Sequence, residues 1–528
     1  MKRGGRAAGR RGGMDGPTVE RQARALPRCP PALAALAVAA ALAVAAAPAA
    51  LASQGYRARI DVRSQSVRYR GWQIDSILAT DVVPSPSGGP ATPDGFAVTC
   101  VSADPYCFYY HAGPVRHAVP FSTTATATAW GLGITGLSAH GSIRLLADFT
   151  GDQFWPGTKP TAQLIELYAD YRRQWFGARA GRIIESNRLG ITGYDGVRLT
   201  ARALRRRLEV TGYGGLGLAR ASLLPINSSE LNPFNQFQLP ERQLIAGGNA
   251  SWNSRYVDAR ADYERQVDRT TRYFVMERAA VSTVIRPVDR FSLRGNVEYD
   301  IAFGRVGTAD ATLNWNSRFV SAAAGYRRYR PTFQLWEIWG AFNTIPYNAI
   351  IGSLWLGPWK GLRLTARGEA YEYEDNKLPS PLVTVENSGW RSRLGASYNY
   401  RQFNIGLGYS ADFGPGASSS GWDAQFGYHP SERWQFTANG GRFVRPLEYR
   451  FDESKVKFVG IDAAYRLAQR FQFRVRADYY DEDRDRPDAA AFTWNQTRLS
   501  ADLTFYLSSK VKASPLPPGR MPANRSAP

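Results

Sequence analysis

The sequence predicts an all-β protein, a single transmembrane antiparallel β-barrel of about 22 strands (range 18–22) with no plug domain. Three observations predict it. The N-terminus has the makeup of an export segment. The rest of the chain alternates apolar and polar residues with period two. The connections between these stretches alternate between short and long.

The export segment comes first. Lys2 and seven arginines lie within residues 2–28, Met14 offers an internal start, and residues 32–47 form an alanine-rich apolar run. Ala50-Leu51-Ala52 then supplies a small-x-small cleavage pattern. The run is too short and too alanine-rich for a helical bilayer span, so 1–52 is predicted to be a cleaved signal peptide. Its removal takes away eight basic and two acidic residues, leaving 476 residues with 58 basic against 43 acidic groups, a balance of +15.

Alternation begins at once after it. Tyr56, Ala58, Ile60 and Val62 interleave with Arg57, Arg59, Asp61 and Arg63. Phe291, Leu293, Val297 and Tyr299 interleave with Ser292, Arg294, Asn296 and Glu298. The same holds for Leu362, Leu364 and Ala366 against Arg363, Thr365 and Arg367, and for Phe471, Phe473 and Val475 against Gln472, Arg474 and Arg476. Alternate side chains of a strand point to opposite faces, so each strand has one apolar face and one charged face. A soluble sheet would also alternate, but no amphipathic helix or second core-forming set accompanies these strands. With no apolar run after the export segment long enough for a membrane helix, a barrel in the outer membrane remains the consistent reading.

Short turns are expected at 131–136, 172–174, 204–207, 253–255, 286–290, 316–318, 357–361, 400–402, 429–433 and 467–470. Longer connections are expected at 72–120, 219–243, 329–346, 375–388 and 443–455. Ten short turns pair twenty strands, and the first and last strands close the ring, which gives about 22. The barrel is predicted over 53–507, with 72–120 as a long extracellular loop. Because the strands start immediately after the signal, no room is left for a plug. Aromatics make up 12 % of the chain, and Trp130, Trp175, Trp252 and Trp434 sit near strand ends, where an interfacial girdle places them.

The last strand carries Leu499, Ala501, Leu503, Phe505 and Leu507, which resembles the terminal signal read by the barrel-assembly machinery. Residues 508–528 form a Pro-rich basic tail, expected to be disordered.

Candidate site residues follow from the polar phase. Arg57, Arg59, Arg294, Arg363, Arg367, Arg474 and Arg476 are expected to line the lumen. Two readings stand: fixed guanidinium groups favouring anionic solutes, or wall-supporting pairs with Asp478, Glu369, Glu298 and Asp300. The segment 333–342, with Trp336, Trp339 and Phe342, is either a constriction and sugar-stacking loop or part of the aromatic girdle. Cys100 and Cys107, with six residues between them that include Asp104-Pro105, are expected to form a disulfide outside the cytoplasm. Four scattered histidines (His111, His117, His140, His429) give no metal-ligand spacing. Gly408-Tyr409-Ser410-Ala411 is followed by Asp412, so no nucleophile elbow exists. No catalytic residue, cofactor or metal is predicted. Export and segregated alternation argue against nucleic acid despite the basic charge.

One stretch carries a family resemblance. Arg179-Ala180-Gly181-Arg182, Arg188-Leu189-Gly190 and Tyr194-Asp195-Gly196-Val197-Arg198-Leu199 resemble the signature of alginate-export-type porins of Gram-negative outer membranes, over about 20 of 528 residues. The resemblance implies a plug-free barrel with a basic lumen passing anionic saccharides or small anions. The functional expectation is thus a diffusion channel for small polar solutes, held in outer-membrane lipid. The alternative is a structural or adhesive barrel whose loops bind a partner with little or no conductance.

Overall fold

The computed structural model describes residues 55–85, 89–101, 104–150, 161–218, 242–330, 346–374, 387–414, 418–445, 453–468, 470–485 and 492–509. The expected signal peptide, most of the C-terminal tail, and Trp336, Trp339 and Phe342 lie outside these residues.

Twenty-two antiparallel strands form a closed ring: Gly55–Leu78, then Pro120–Trp130 and every strand after it in chain order to Phe492–Ser508. Closure is made by the first and last strands, paired from Arg57↔Ser508 to Val67↔Arg498. On its other edge the first strand pairs with Pro120–Trp130, from Gly55↔Trp130 to Ser64↔Phe121. A closed ring satisfies every backbone group within the wall, as a strand structure in hydrocarbon requires. All ten expected short turns fall on one rim, together with both ends of the described chain. The opposite rim mixes long connections with short ones such as 188–189 and 301–304.

The expected loop 72–120 needs correction. Strand Gly55–Leu78 runs well past the point where it leaves its partner Phe492–Ser508, and its upper half pairs with Tyr106–Ala118. This two-stranded ribbon stands beyond the wall, and a third short strand, Val98–Cys100, lies along it. Cys100 and Cys107 are direct cross-strand partners there, joined as a disulfide with Cα atoms 4.3 Å apart. Pro114 has no N–H to donate to a ladder. The ribbon accommodates it in a register shift: Arg70 pairs Val115 but Trp72 pairs Ala112, leaving Gly113 and Pro114 bulged.

Glycine and aromatic residues face each other across the ladders in a repeated way. Gly55 is the cross-strand partner of Trp130, Gly247 of Tyr213, Gly389 of Tyr371, Gly421 of Phe443 and Gly441 of Phe458. A Cβ at any of these glycines would come within 3 Å of the facing ring. The ring covers the glycine backbone, an arrangement known to pin strand register.

Candidate functional site: the inner wall

The alternation read from the sequence separates two faces. Outward-pointing Val197, Leu199, Leu293, Leu313, Ile350, Leu407, Ile461 and Val475 are all exposed, as large apolar side chains in a lipid-facing band would be. The opposite phase carries carboxylates that are almost fully covered, including Asp170, Glu185, Asp262, Glu264, Glu369 and Asp478. Such groups are covered only when bonded, and here the partners are mostly arginines.

The seven arginines singled out above all stand on this inner phase. Three are in ion pairs: Arg59 with Asp61 at 2.8 Å, Arg476 with Asp478 at 2.9 Å, and Arg474 with Asp462. The other four, Arg57, Arg294, Arg363 and Arg367, have no acidic partner among the described residues. Arg367 is directly opposite Arg393 on the neighbouring strand, so like charges face each other there. The two readings of the arginines therefore divide between different positions. Of the supporting carboxylates expected, Asp478 binds Arg476, whereas Glu298 takes Arg278 at 2.9 Å and Glu369 lies 3.7 Å from Arg327 and 3.6 Å from Arg391. Asp300 instead accepts the Phe303 N–H.

The sequence did not reveal a dense inner cluster on the strands from Thr161–Arg172 to Phe274–Val288. Its hub is Glu264, which is 1 % exposed. Thr192 Oγ1 donates to it at 2.9 Å, Tyr213 OH at 3.0 Å and Gln266 Nε2 at 2.8 Å. Thr192 and Glu264 lie on strands separated by two others, Leu208–Gly217 and Leu244–Asn253. The Tyr213 contact follows from the register of the strands between them. Tyr213, Gly247 and Glu264 form one row across three strands, Tyr213↔Gly247↔Glu264. Gly247 has no side chain, so the flanking tyrosine and glutamate reach over it to each other. A Cβ at Gly247 would lie 2.4 Å from the tyrosine ring.

Around this hub, Arg198 pairs with Glu185 at 3.3 Å and Arg260 with Asp262 at 2.8 Å. Arg179 lies over the Tyr168 ring at 4.2 Å, and Tyr168 stacks on His140. Arg278 donates to the carbonyl of Leu189 at 2.9 Å, tying the hairpin between Asn187 and Gly190 to a strand four places along the ring. A second group gathers Tyr347, Tyr371 and Tyr373, with the Arg391 guanidinium 4.4 Å over Tyr371 and bonded to Asp412 at 3.0 Å. The sequence-level signal for Glu264 was its place on the polar phase of Asp258, Arg260, Asp262 and Gln266. Nothing in the strand pattern showed which neighbours would reach it.

A closed strand ring with an apolar outer band and a polar, salt-bridged interior is a transmembrane β-barrel of the outer-membrane type. No family model matches the chain, and no curated protein matches it. Among solved structures it is similar to OccAB4 of Acinetobacter baumannii at 8 % identity, over 86 % of this chain and 98 % of that one, with a TM-score of 0.40. OpdQ of Pseudomonas aeruginosa matches at 10 % identity over 86 % and 99 %, TM-score 0.37. OmpT, an outer membrane protein of Vibrio cholerae, matches at 10 % identity over 57 % and 98 %, TM-score 0.31. Superposition this loose adds nothing to what the barrel itself states.

Proposed function

We propose that this chain is a porin-like outer-membrane channel through which small polar solutes diffuse, with a preference for anions, acidic saccharides among them. It acts without catalysis or a cofactor. The observation that carries the reading is the inner wall: a 22-strand ring whose interior presents Arg57, Arg294, Arg363 and Arg367 without acidic partners among the described residues. Strands ~4.8 Å apart and tilted by ~40° give a ring of this size a diameter of roughly 40–45 Å. Side chains alone cannot fill that width. Among the described residues every strand but the short ones beside the ribbon belongs to the wall or its extension, and none forms a plug.

The remaining expectations fit this reading. The signal peptide 1–52 is removed on export, the assembly machinery reads the terminal strand, and the rim of short turns faces the periplasm. The ribbon and its disulfide support the alternative, an adhesive barrel that binds a partner beyond the wall.

Conductance in planar bilayers decides between them. A salt gradient should give a reversal potential favouring anions. A unit charge ~10 Å from a passing ion in water is worth about 0.4 kcal/mol, halved or more by screening at 0.1 M salt. Since anion and cation shift in opposite directions, replacing Arg363 or Arg367 by Gln should lower the anion-to-cation ratio by about twofold each. The double change Arg474→Gln with Asp462→Asn removes a neutral pair and should leave it unchanged. A non-conducting barrel overturns the channel, and cation preference overturns the arginine argument.

A further inference from the structure

Arg182 and Asp195 belong to the stretch that drew the family resemblance, yet they do not enter the lumen. They stand on the outward phase, whose neighbours Leu164, Leu167, Val197 and Leu199 are exposed apolar side chains. Arg182 meets Asp195 with two parallel bonds, Nε to Oδ1 at 2.8 Å and Nη2 to Oδ2 at 3.0 Å. A second arginine arrives from outside the ladder. Arg242 precedes strand Leu244–Asn253 and reaches across to Asp195 Oδ2 at 2.6 Å, while bonding the carbonyls of Gly217 and Leu216. The group thus holds two guanidiniums around one carboxylate, with a net charge of +1. It lies toward the rim opposite the short turns, because Gly190 and Gly217 both end their strands there.

Charge on a lipid-facing surface is costly and is placed near the interface, where polar headgroups meet it. Both side chains are only partly covered, 26 % exposed for Arg182 and 40 % for Arg242. A guanidinium has five N–H donors, and each of these two keeps Nη hydrogens for which the described residues supply no acceptor. Paired planar donors beside apolar side chains match a phosphate with acyl chains beneath it.

We infer that Arg182 and Arg242, oriented by Asp195, form a binding site on the outer wall for the phosphate group of an outer-leaflet lipid. Asp195 spaces the two cations and fixes their open edges toward the membrane. Leu167 beside the pair, and Val197 and Leu199 further from that rim, receive the chains.

The test uses the full chain in detergent, titrated with diphosphorylated lipid A and followed by native mass spectrometry. Lipid A stripped of both phosphates and inorganic phosphate serve as parallel probes. The expected result is retention of the phosphorylated lipid about tenfold above the stripped one, lost in the double variant Arg182→Gln, Arg242→Gln. Arg182 also bonds the Leu164 carbonyl at 3.0 Å, so the double variant could misfold. Arg242→Gln alone, outside the ladder, should still weaken retention several-fold, and Arg182→Lys should keep part of it. Equal retention of both lipids, or undiminished retention by Arg242→Gln, overturns the site. Saturation by inorganic phosphate that abolishes lipid retention would assign it to a free anion instead and overturn the lipid reading. None of these outcomes depends on whether the barrel conducts.

Discussion

Replacing Glu264 by Ala should loosen one side of the barrel by an amount that the hydrogen bonds fix. The carboxylate receives three bonds between 2.8 and 3.0 Å, from Thr192, Tyr213 and Gln266, and a longer one from Asn187. Each buried donor left without an acceptor costs roughly 1–3 kcal/mol. Three such donors set a gross loss of roughly 3–9 kcal/mol. The vacated space is polar and next to an aqueous lumen, so water will enter and restore part of it. A net loss of about 2–4 kcal/mol is expected. Glu264→Gln keeps the volume and one oxygen and should cost about 1 kcal/mol. The assay is equilibrium unfolding in guanidinium of protein reconstituted in vesicles, read by tryptophan fluorescence and by the gel shift of the folded barrel. A double-mutant cycle with Tyr213→Phe should give a coupling of at least about 0.5 kcal/mol, since the pair share a bond. If Glu264→Ala unfolds at the wild-type midpoint, the hub holds nothing together and the reasoning fails.

Other outcomes follow from the same kind of reading. Gly247→Ala should destabilise the barrel by about 1–3 kcal/mol, because its Cβ meets the Tyr213 ring, whereas Gly212→Ala has open space around it and should be silent in the same unfolding assay. Replacing Cys100 and Cys107 by Ser should free Val98–Cys100 from the ribbon without touching the ring: limited proteolysis should cut near residue 100 while the folded gel band persists. In the turn after Val267, Asp268 accepts the Thr271 N–H and hydroxyl and the Thr270 N–H, which holds its carboxyl below the usual carboxylate range. A depressed folded value means the turn's stabilisation is complete above about pH 4 and is lost as pH falls through the lower folded value. Amide exchange at Thr271 should therefore stay slow, relative to the intrinsic rate, from pH 7 to 5 and be faster throughout in Asp268→Asn. An Asn variant with unchanged exchange would count against it.

Much of the barrel was legible in the chain because alternation is a property of each strand alone. Arg474 and Val475 point to opposite faces whatever strand lies beside them, so the inner arginines and the strand count could be read without neighbours. The ribbon was not legible: Pro114 has no N–H for a ladder, and the bulge at Gly113 and Pro114 that accommodates it depends on the register with the first strand. Partners were not legible at all. Arg63 binds Asp502, more than four hundred residues away, and the Thr504 hydroxyl donates to Asp61 at 2.8 Å, both only because the first strand closes against the last.

The sequence by itself determined that this chain would fold into alternating strands, which face of each would be charged, and how many would close the ring. The tertiary structure alone decided which inner arginines are neutralised and which have no acidic partner among the described residues. It also decided that Glu264 meets Tyr213 over Gly247, and that Arg182 and Asp195 look outward to lipid. The reason is register. Side-chain direction follows from the local backbone, but contact follows from the hydrogen-bonded ladder between strands, and one residue of slip would exchange every partner.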